Sequence, residues 1–245
     1  MLSKKFNTNN LIILWEGSSS KGHRKKLFKG YKSKRSENKT PEEILEKVQF
    51  NKEANELFDK CLLLGFEGYC LDGYEADDLI AYYCETHPQE EIVIVTNDED
   101  MYQCLKHDNV TIYNIDKKIR KDKAWFEETY TITPDLWYLV KAQAGCKSDS
   151  VPGIIGVGEK TAIKYITGNA SEKISNKIKL HDDEVNKNIK LVKLPFEKIY
   201  SEKFSFSKNQ TQLNKDAFID LCLELDFRYF LENISDFNIL FNGEK

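Results

Sequence analysis

The 245-residue sequence predicts an α/β protein: a parallel sheet wrapped by helices, followed by a purely helical region. Three observations carry that expectation. Short apolar runs with strand character alternate with helical stretches up to about residue 131. Strand signals stop at Pro134, and everything beyond reads as helix or loop. The longest apolar runs hold about six residues, against the ~20 that a bilayer span needs. No apolar stretch follows the N-terminal lysines as in a secretory leader, so a soluble cytoplasmic protein with no membrane partner is expected.

The elements follow in order. Residues 11–15 (LIILW) form a short buried strand, and Glu16-Gly17 opens the loop behind it. Residues 21–39 have few apolar anchors and read as polar loop or mobile helix. Thr40-Pro41-Glu42-Glu43 is a helix start, with Thr as N-cap, Pro at the first position and Glu at the third. Apolar positions from Ile44 to Leu64 carry that helix to about Gly65. A strand is expected over 66–71, a helix over 76–85, a fully buried strand over 91–96, a short helix capped by Asp98, and a strand over 109–115. Past a boundary at 131–134 come helices over 135–144, 159–166, 171–193 and 215–225, with a Gly-rich hairpin over 152–158. Trp125, Trp137, Phe227, Tyr229 and Phe230 are read as core or domain-interface aromatics.

Composition, 40% hydrophobic and 31% charged, suits a folded chain rather than a disordered one. The net charge of −4 hides a bipole. Residues 21–39 hold nine Lys/Arg and one acid, whereas residues 61–105 hold eleven acids and no Lys or Arg. A near-neutral total argues against a nucleic-acid partner; the local pattern withdraws that argument, although two solvated faces would also account for it. Cys61, Cys70, Cys84, Cys104, Cys146 and Cys222 are scattered, with no CxxC pair and no His at ligand spacing, which predicts reduced thiols and no structural zinc.

Ligands of parallel sheets gather beyond the carboxyl ends of the strands. Three acidic groups fall there: Glu16, then Glu75 with Asp77 and Asp78, then Asp98 with Asp100. Clustered carboxylates repel and stay protonated unless a cation neutralises them. Hard ions with oxygen ligands, Mg²⁺ or Mn²⁺, suit such a site. Two of them about 3.5–4 Å apart activate water and stabilise the leaving oxygen of a phosphodiester. For any single group the alternative is structural, because acids in a first helical turn complement the dipole and Asp is a favoured cap.

The same residues carry a resemblance. Gly73-Tyr74-Glu75-Ala76-Asp77-Asp78, Thr96-Asn97-Asp98-Glu99-Asp100, and the run from Asp149 through Gly153, Gly156 and Gly158 to Ala162 occur in the order found in the flap endonuclease/5′→3′ exonuclease family, and the chain resembles its compact phage members over about residues 11–167. The resemblance implies a PIN-like 5′ nuclease domain over 1–133, N-terminally incomplete and carrying a basic arch over 18–40. It implies a helical DNA-binding domain over 134–245 with a helix–three-turn–helix hairpin at 149–167. By position, Glu75, Asp77, Asp78, Asp98 and Asp100 resemble metal ligands or their supports, with Asp78 and Asp98 counted as catalytic, and Asp149 resembles a ligand of the second metal. Lys32 and Arg35 resemble the gateway residues that contact the scissile phosphate, and Arg24 a further phosphate-binding residue. The arch resembles one that passes a 5′ single strand and is disordered without DNA.

Three departures accompany the resemblance. Glu16 stands where the family has Asp, and Cys146 stands where the partner of Asp149 is normally Asp, although a thiol is a poor Mg²⁺ ligand. The family's opening strand, with its metal-binding Asp, is missing, which leaves three expectations: a fragment, a separate chain supplying the strand, or lost catalysis. Phe28 and Tyr31 are placed to stack on unpaired bases. Gly156 and Gly158 let the backbone approach phosphate, with Lys160 and Thr161 adding charge and a hydroxyl; the resemblance adds a K⁺ ion at the hairpin. The expected activity is metal-dependent cleavage of DNA at 5′ flaps or 5′ ends, or of RNA–DNA hybrids, and the alternative is a structure-specific DNA-binding protein without catalysis.

Overall fold

The computed structural model describes residues 2–35, 37, 39–206 and 213–242. Ser36 and Asn38 of the expected arch lie outside the described residues. Two compact units are present, one comprising Met1–Trp15, Lys39–Cys70 and Ser205–Lys245, the other Glu16–Asn38 and Leu71–Phe204. Among the described residues no helix is long and apolar enough to cross a membrane.

In the first unit, helix α1 (Leu2–Phe6) precedes strand β1 (Ile12–Glu16), which pairs with β2 (Glu67–Leu71). Between them, α3 (Pro41–Leu63) starts on a complete capping box, the Glu43 N–H donating to Thr40 Oγ1 at 3.3 Å and the Thr40 N–H to Glu43 Oε2 at 2.8 Å. The sequence signature is thus the actual start. Phe58 of α3 stacks on Trp15 at 5.3 Å. The C-terminal helices α10 (Lys215–Glu224), α11 (Arg228–Glu232) and α12 (Asn238–Asn242) bury Phe237, Leu240 and Phe241 against Phe218 and Phe230.

The second unit holds the site. Helix α2 (Gly22–Leu27) forms within the basic block, α4 (Ala76–Thr86) follows Glu75, and β3 (Ile92–Val95) pairs in parallel with β4 (Val110–Asn114) through Ile92↔Val110 and Ile94↔Ile112. A third strand, β5 (Ile119–Lys121), adds antiparallel to β4 and was not expected. Helices α5 (Lys123–Tyr130), α6 (Trp137–Ala144), α7 (Glu159–Ile166), α8 (Glu172–Leu180) and α9 (Asp182–Val192) follow. The single helix expected over 171–193 is broken at His181, where Asp182, Asp183 and Glu184 open a new acidic first turn. Leu79, Cys84, Met101, Leu105, Ile112, Phe126, Trp137 and Val140 fill the core between these elements.

Candidate metal centre and nucleic-acid interface

Every predicted site residue lies within the second unit. The first turn of α4 carries Glu75, Asp77 and Asp78. Asp78 points inward, is fully buried, and accepts the Glu75 N–H at 3.2 Å and the Phe196 N–H at 2.8 Å. Its main partner is Arg24, whose guanidinium donates to both carboxylate oxygens at 2.6 and 2.7 Å, to Glu75 at 3.3 Å and to the Leu191 carbonyl at 2.8 Å. Burial alone lowers a guanidinium pKa; here the charge and hydrogen bonds of Asp78, then Glu75, outweigh it and hold Arg24 firmly cationic. Arg24, expected at a phosphate, is 3% exposed and joins α2 to α4.

Lys32 and Arg35 of the same block also meet carboxylates, whereas Lys25, Lys26, Lys29 and Lys34 are exposed. Lys32 Nζ donates to Glu75 Oε1 and lies 3.6 Å from Asp149. Arg35 donates to Asp149 at 3.0 Å and to the Ser148 carbonyl at 3.1 Å. Lys32 adopts a left-handed backbone (φ +54°) while its N–H donates to the Asp149 carbonyl at 2.7 Å, a conformation a non-glycine residue keeps only when its surroundings impose it. Tyr31, expected to stack on bases, is instead 2% exposed, its hydroxyl donating to Glu75 at 2.7 Å and reaching Asp149 at 3.2 Å. Phe28 packs against the core. The block is therefore a folded segment, helix α2 and a 3₁₀ turn over Ser33–Arg35, because buried carboxylates supply the partners that its few apolar residues cannot.

The second acidic group opens the 3₁₀ helix Glu99–Lys106, where Asp98 accepts the Asp100 N–H at 2.8 Å. Burial, and next the charge of Asp98, push the Asp77 carboxyl up to about 7. Asp100 is also raised, by burial, with Lys141 opposing and Asp98 and Asp149 adding to it. Donor atoms of Asp100, Cys146 and Asp149 lie within 4.8 Å of one another. The Cys146 thiol donates weakly toward Asp100 at 3.8 Å and sits 3.0 Å from Ser148 Oγ; burial and then Asp100 push its pKa up. Asp100 Oδ1 is buried and, among the described residues, finds no aligned donor, the Lys141 ammonium lying 3.2 Å away. Crowded carboxylates fit a hard divalent cation, with Lys141 as the near cation of Asp100 in its absence, and Cys146 softens one corner of that donor set. Glu16, at the end of β1, is exposed and accepts from Ser20 at 3.1 Å; among the described residues no bond joins it to this network.

The hairpin is built on glycine. A Cβ at Gly153 would sit 2.0 Å from the Ala144 carbonyl oxygen, and Gly156 has φ +78°. The Val157 N–H donates to the Ile154 carbonyl at 2.9 Å, closing a turn whose third residue is Gly156, the type II pattern. Ile154 and Val157 are buried while Ile155 is 85% exposed at the tip. Asn188 ties the base, donating to the carbonyls of Ala142 (2.9 Å) and Pro152 (2.7 Å). Gly158 is the N-cap of α7, where Lys160 is exposed and Thr161 half-buried.

Two contributors escaped sequence reasoning. Lys141 bridges Asp100 (3.2 Å) and Glu159 (3.1 Å), linking the acidic cluster to the first turn of α7. Its signal was available: a lone lysine within the largely apolar stretch 136–144 is a buried charge that needs partners. Lys177, on α8, donates to the Ile155 carbonyl at the hairpin tip, a contact with no local sequence signal.

The second unit is thus an α/β unit in which an acidic cluster adjoins a basic segment and a glycine hairpin. The family model of the 5′-3′ exonuclease N-terminal resolvase-like domain matches residues 1–131, and the chain belongs to that family. It is 34% identical over 166 residues to the 5′-3′ exonuclease of Bacillus subtilis (66% of this chain, 53% of the relative). It is 32% identical over 171 residues to the thermostable DNA polymerase I of Thermus thermophilus (68% of this chain, 19% of the relative). The chain thus spans about half the length of the curated 5′-3′ exonucleases it matches. Among solved structures it is similar to the T5 protein crystallised with metal ions (TM-score 0.70, 22% identity, 79% of each chain). It is similar also to T5 5′-exonuclease with bound zinc (TM-score 0.68, 22% identity, 79% of this chain and 78% of the other). At that identity the likeness is one of fold.

Proposed function

We propose that the chain is a divalent-metal-dependent 5′ nuclease that hydrolyses phosphodiester bonds in DNA at 5′ flaps or 5′ ends. One observation carries the reading: in a single compact unit, Lys32 and Arg35 are ion-paired to Glu75 and Asp149 beside the crowded Asp77, Asp98 and Asp100. Cations that serve a phosphate are thereby held next to carboxylates that serve a metal. Metal-bearing and DNA-bearing neighbours of the same fold support it.

In this reading Asp77, Asp98, Asp100 and Asp149 hold Mg²⁺ or Mn²⁺, which when bound activates water and neutralises charge on the phosphodiester. Lys32 and Arg35 exchange carboxylate partners for the scissile phosphate and stabilise the charge that builds on it. Arg24 and Asp78 hold the first turn of α4 so that Asp77 faces the cluster. The hairpin, through Gly156, Gly158, Lys160 and Thr161, contacts duplex phosphates, which selects structure rather than sequence. A division into a nuclease region to residue 133 and a helical DNA-binding region beyond it belongs to the same proposal.

The test is cleavage of a labelled 5′-flap duplex in Mg²⁺ and in Mn²⁺, with Asp98→Ala as control. Turnover by the wild type and none by the variant is expected; an intact flap with folded, metal-loaded wild type overturns the proposal. Cys146 favours a second reading, structure-specific binding without cleavage, because the thiol weakens one Mg²⁺ position. That reading predicts flap binding that persists in EDTA and is lost on Lys160→Glu, and any turnover ends it.

A further inference from the structure

We infer that Lys177 is a DNA-contact residue: its ammonium, tethered to the hairpin tip by the Ile155 carbonyl, supplies the hairpin's positive charge to a backbone phosphate. The inference rests on the nucleic-acid reading of the hairpin and adds a residue that neither the sequence patterns nor the family motif pointed to.

The turn geometry makes the site. Closing Ile154 onto Val157 with Gly156 at φ +78° turns the central peptide outward, so the Ile155 carbonyl has no partner inside the turn. A bare outward carbonyl presents negative charge where an incoming phosphate would arrive. Lys177 reverses that sign. It reaches the hairpin from the last turn of α8, and its Nζ lies 3.7 Å from where a Gly156 Cβ would be, an ordinary contact distance that places the ammonium beside the glycine. An ammonium has three donors; the carbonyl takes one, which leaves two for phosphate oxygens. Lys160 is exposed at the start of α7, and the exposed Ile155 caps the tip, giving an apolar point beside cations. The resemblance places a K⁺ ion at the hairpin; here a covalently tethered cation already holds one of its carbonyls.

The competing account is that Lys177 merely satisfies the carbonyl. Lys177→Gln removes the charge and keeps an N–H donor on a side chain one bond shorter, so an unchanged melting temperature separates a lost charge from a lost prop. The assay is fluorescence anisotropy of the full chain with a labelled 5′-flap duplex in Ca²⁺, from 50 to 200 mM salt. One lost phosphate contact lowers the salt slope by about 0.9 and affinity about eightfold at 0.1 M salt. Lys177→Gln should show both losses at an unchanged melting temperature, and Lys177→Arg should restore them. Lys173→Gln, exposed and one turn earlier on the same face of α8, should lose less than half as much. Wild-type affinity in KCl and in NaCl at equal ionic strength should agree within about twofold, since only the summed salt dependence enters. A silent Lys177→Gln, an equal loss in Lys173→Gln, or a marked K⁺ preference of the wild type overturns the inference while leaving the nuclease reading intact. Wild type that binds no flap DNA overturns both.

Discussion

Replacing Arg24 by Met separates a structural arginine from a phosphate-binding one. The side chain is 3% exposed, makes four hydrogen bonds, and lies over Phe196 at 5.1 Å, so Met keeps much of the packing and removes the charge. Asp78 is then left fully buried with only the Phe196 and Glu75 amides as donors. Breaking one side of a buried pair costs about 3–5 kcal/mol, and the two remaining amides favour the lower end. At roughly 2–4 °C per kcal/mol for a chain of this size, the variant should melt about 6–12 °C below wild type. The double variant Arg24→Met/Asp78→Asn removes the stranded charge and should recover about 1–3 kcal/mol, measured by urea and thermal denaturation followed by circular dichroism. An Arg24→Met protein that melts within about 2 °C of wild type yet loses flap affinity would refute the reasoning, since that is the signature of a phosphate contact.

Other predictions follow from the same geometry. Asp77 has a folded pKa of about 7 against ~3.9 unfolded. Its contribution to stability is therefore complete below pH ~4 and lost as pH rises through 7, by up to about 4 kcal/mol before any discount for partial exposure. In EDTA, wild type should gain on Asp77→Asn in melting temperature as pH falls from 8 to 5, and saturating Mg²⁺ should flatten the difference; a parallel pair of curves in EDTA counts against the assigned shift. Cys146→Asp should tighten Mg²⁺ relative to Zn²⁺ by the roughly tenfold typical of changes around a metal, read by calorimetry, and an unchanged ratio would mean the thiol stands outside the donor set. Gly153→Ala drives a Cβ to within 2.0 Å of the Ala144 oxygen and 2.5 Å of the Gly145 nitrogen. Because both are backbone, the cost should reach the upper end of about 1–3 kcal/mol, and melting temperature and flap affinity should fall together; wild-type values for both would show that the hairpin base can yield.

Local signals were legible in proportion to how local their causes are. The capping box at Thr40 and the apolar run of β3 depend on residues within a turn or a strand, and both stand where the pattern puts them. Strand β5 is three residues, Ile119, Arg120 and Lys121, and exists through its register with β4, where Lys121 faces Ile112; no window of sequence encodes that pairing. The acids were legible by type and order. Their partners were not, because Arg24 meets Asp78 across 54 residues and Tyr31 meets Asp149 across 118. A run of lysines reads as solvated until something distant buries it, which is why Arg24, Tyr31 and Lys32 were all assigned outward roles.

The opposed charge blocks of the sequence are in contact, and the way they pair sorts the acids into two kinds. Glu75 and Asp78 are met inside the protein by Lys32 and Arg24, with both partners of each pair almost wholly out of water. A carboxylate so matched gains little from a further cation. Asp77, Asp98 and Asp100 have a different balance: Lys141 is the near cation for Asp100, while Asp77 is driven toward the protonated form by burial and by Asp98. Unrelieved repulsion of that kind is relieved by a proton or by a divalent ion, and the ion carries twice the charge. An external cation therefore gains most at Asp77, Asp98 and Asp100. Asp149 lies between the two kinds: it shares its 4.8 Å cluster with Asp100 while holding Lys32 and the half-exposed Arg35. Charge added at Asp149 weakens its hold on Arg35 first, because solvent already screens that pair and offers the guanidinium an alternative. In the proposed nuclease reading Arg35 is thus the cation most readily handed from carboxylate to phosphate, with Lys32, doubly anchored on Glu75 and Asp149, following it.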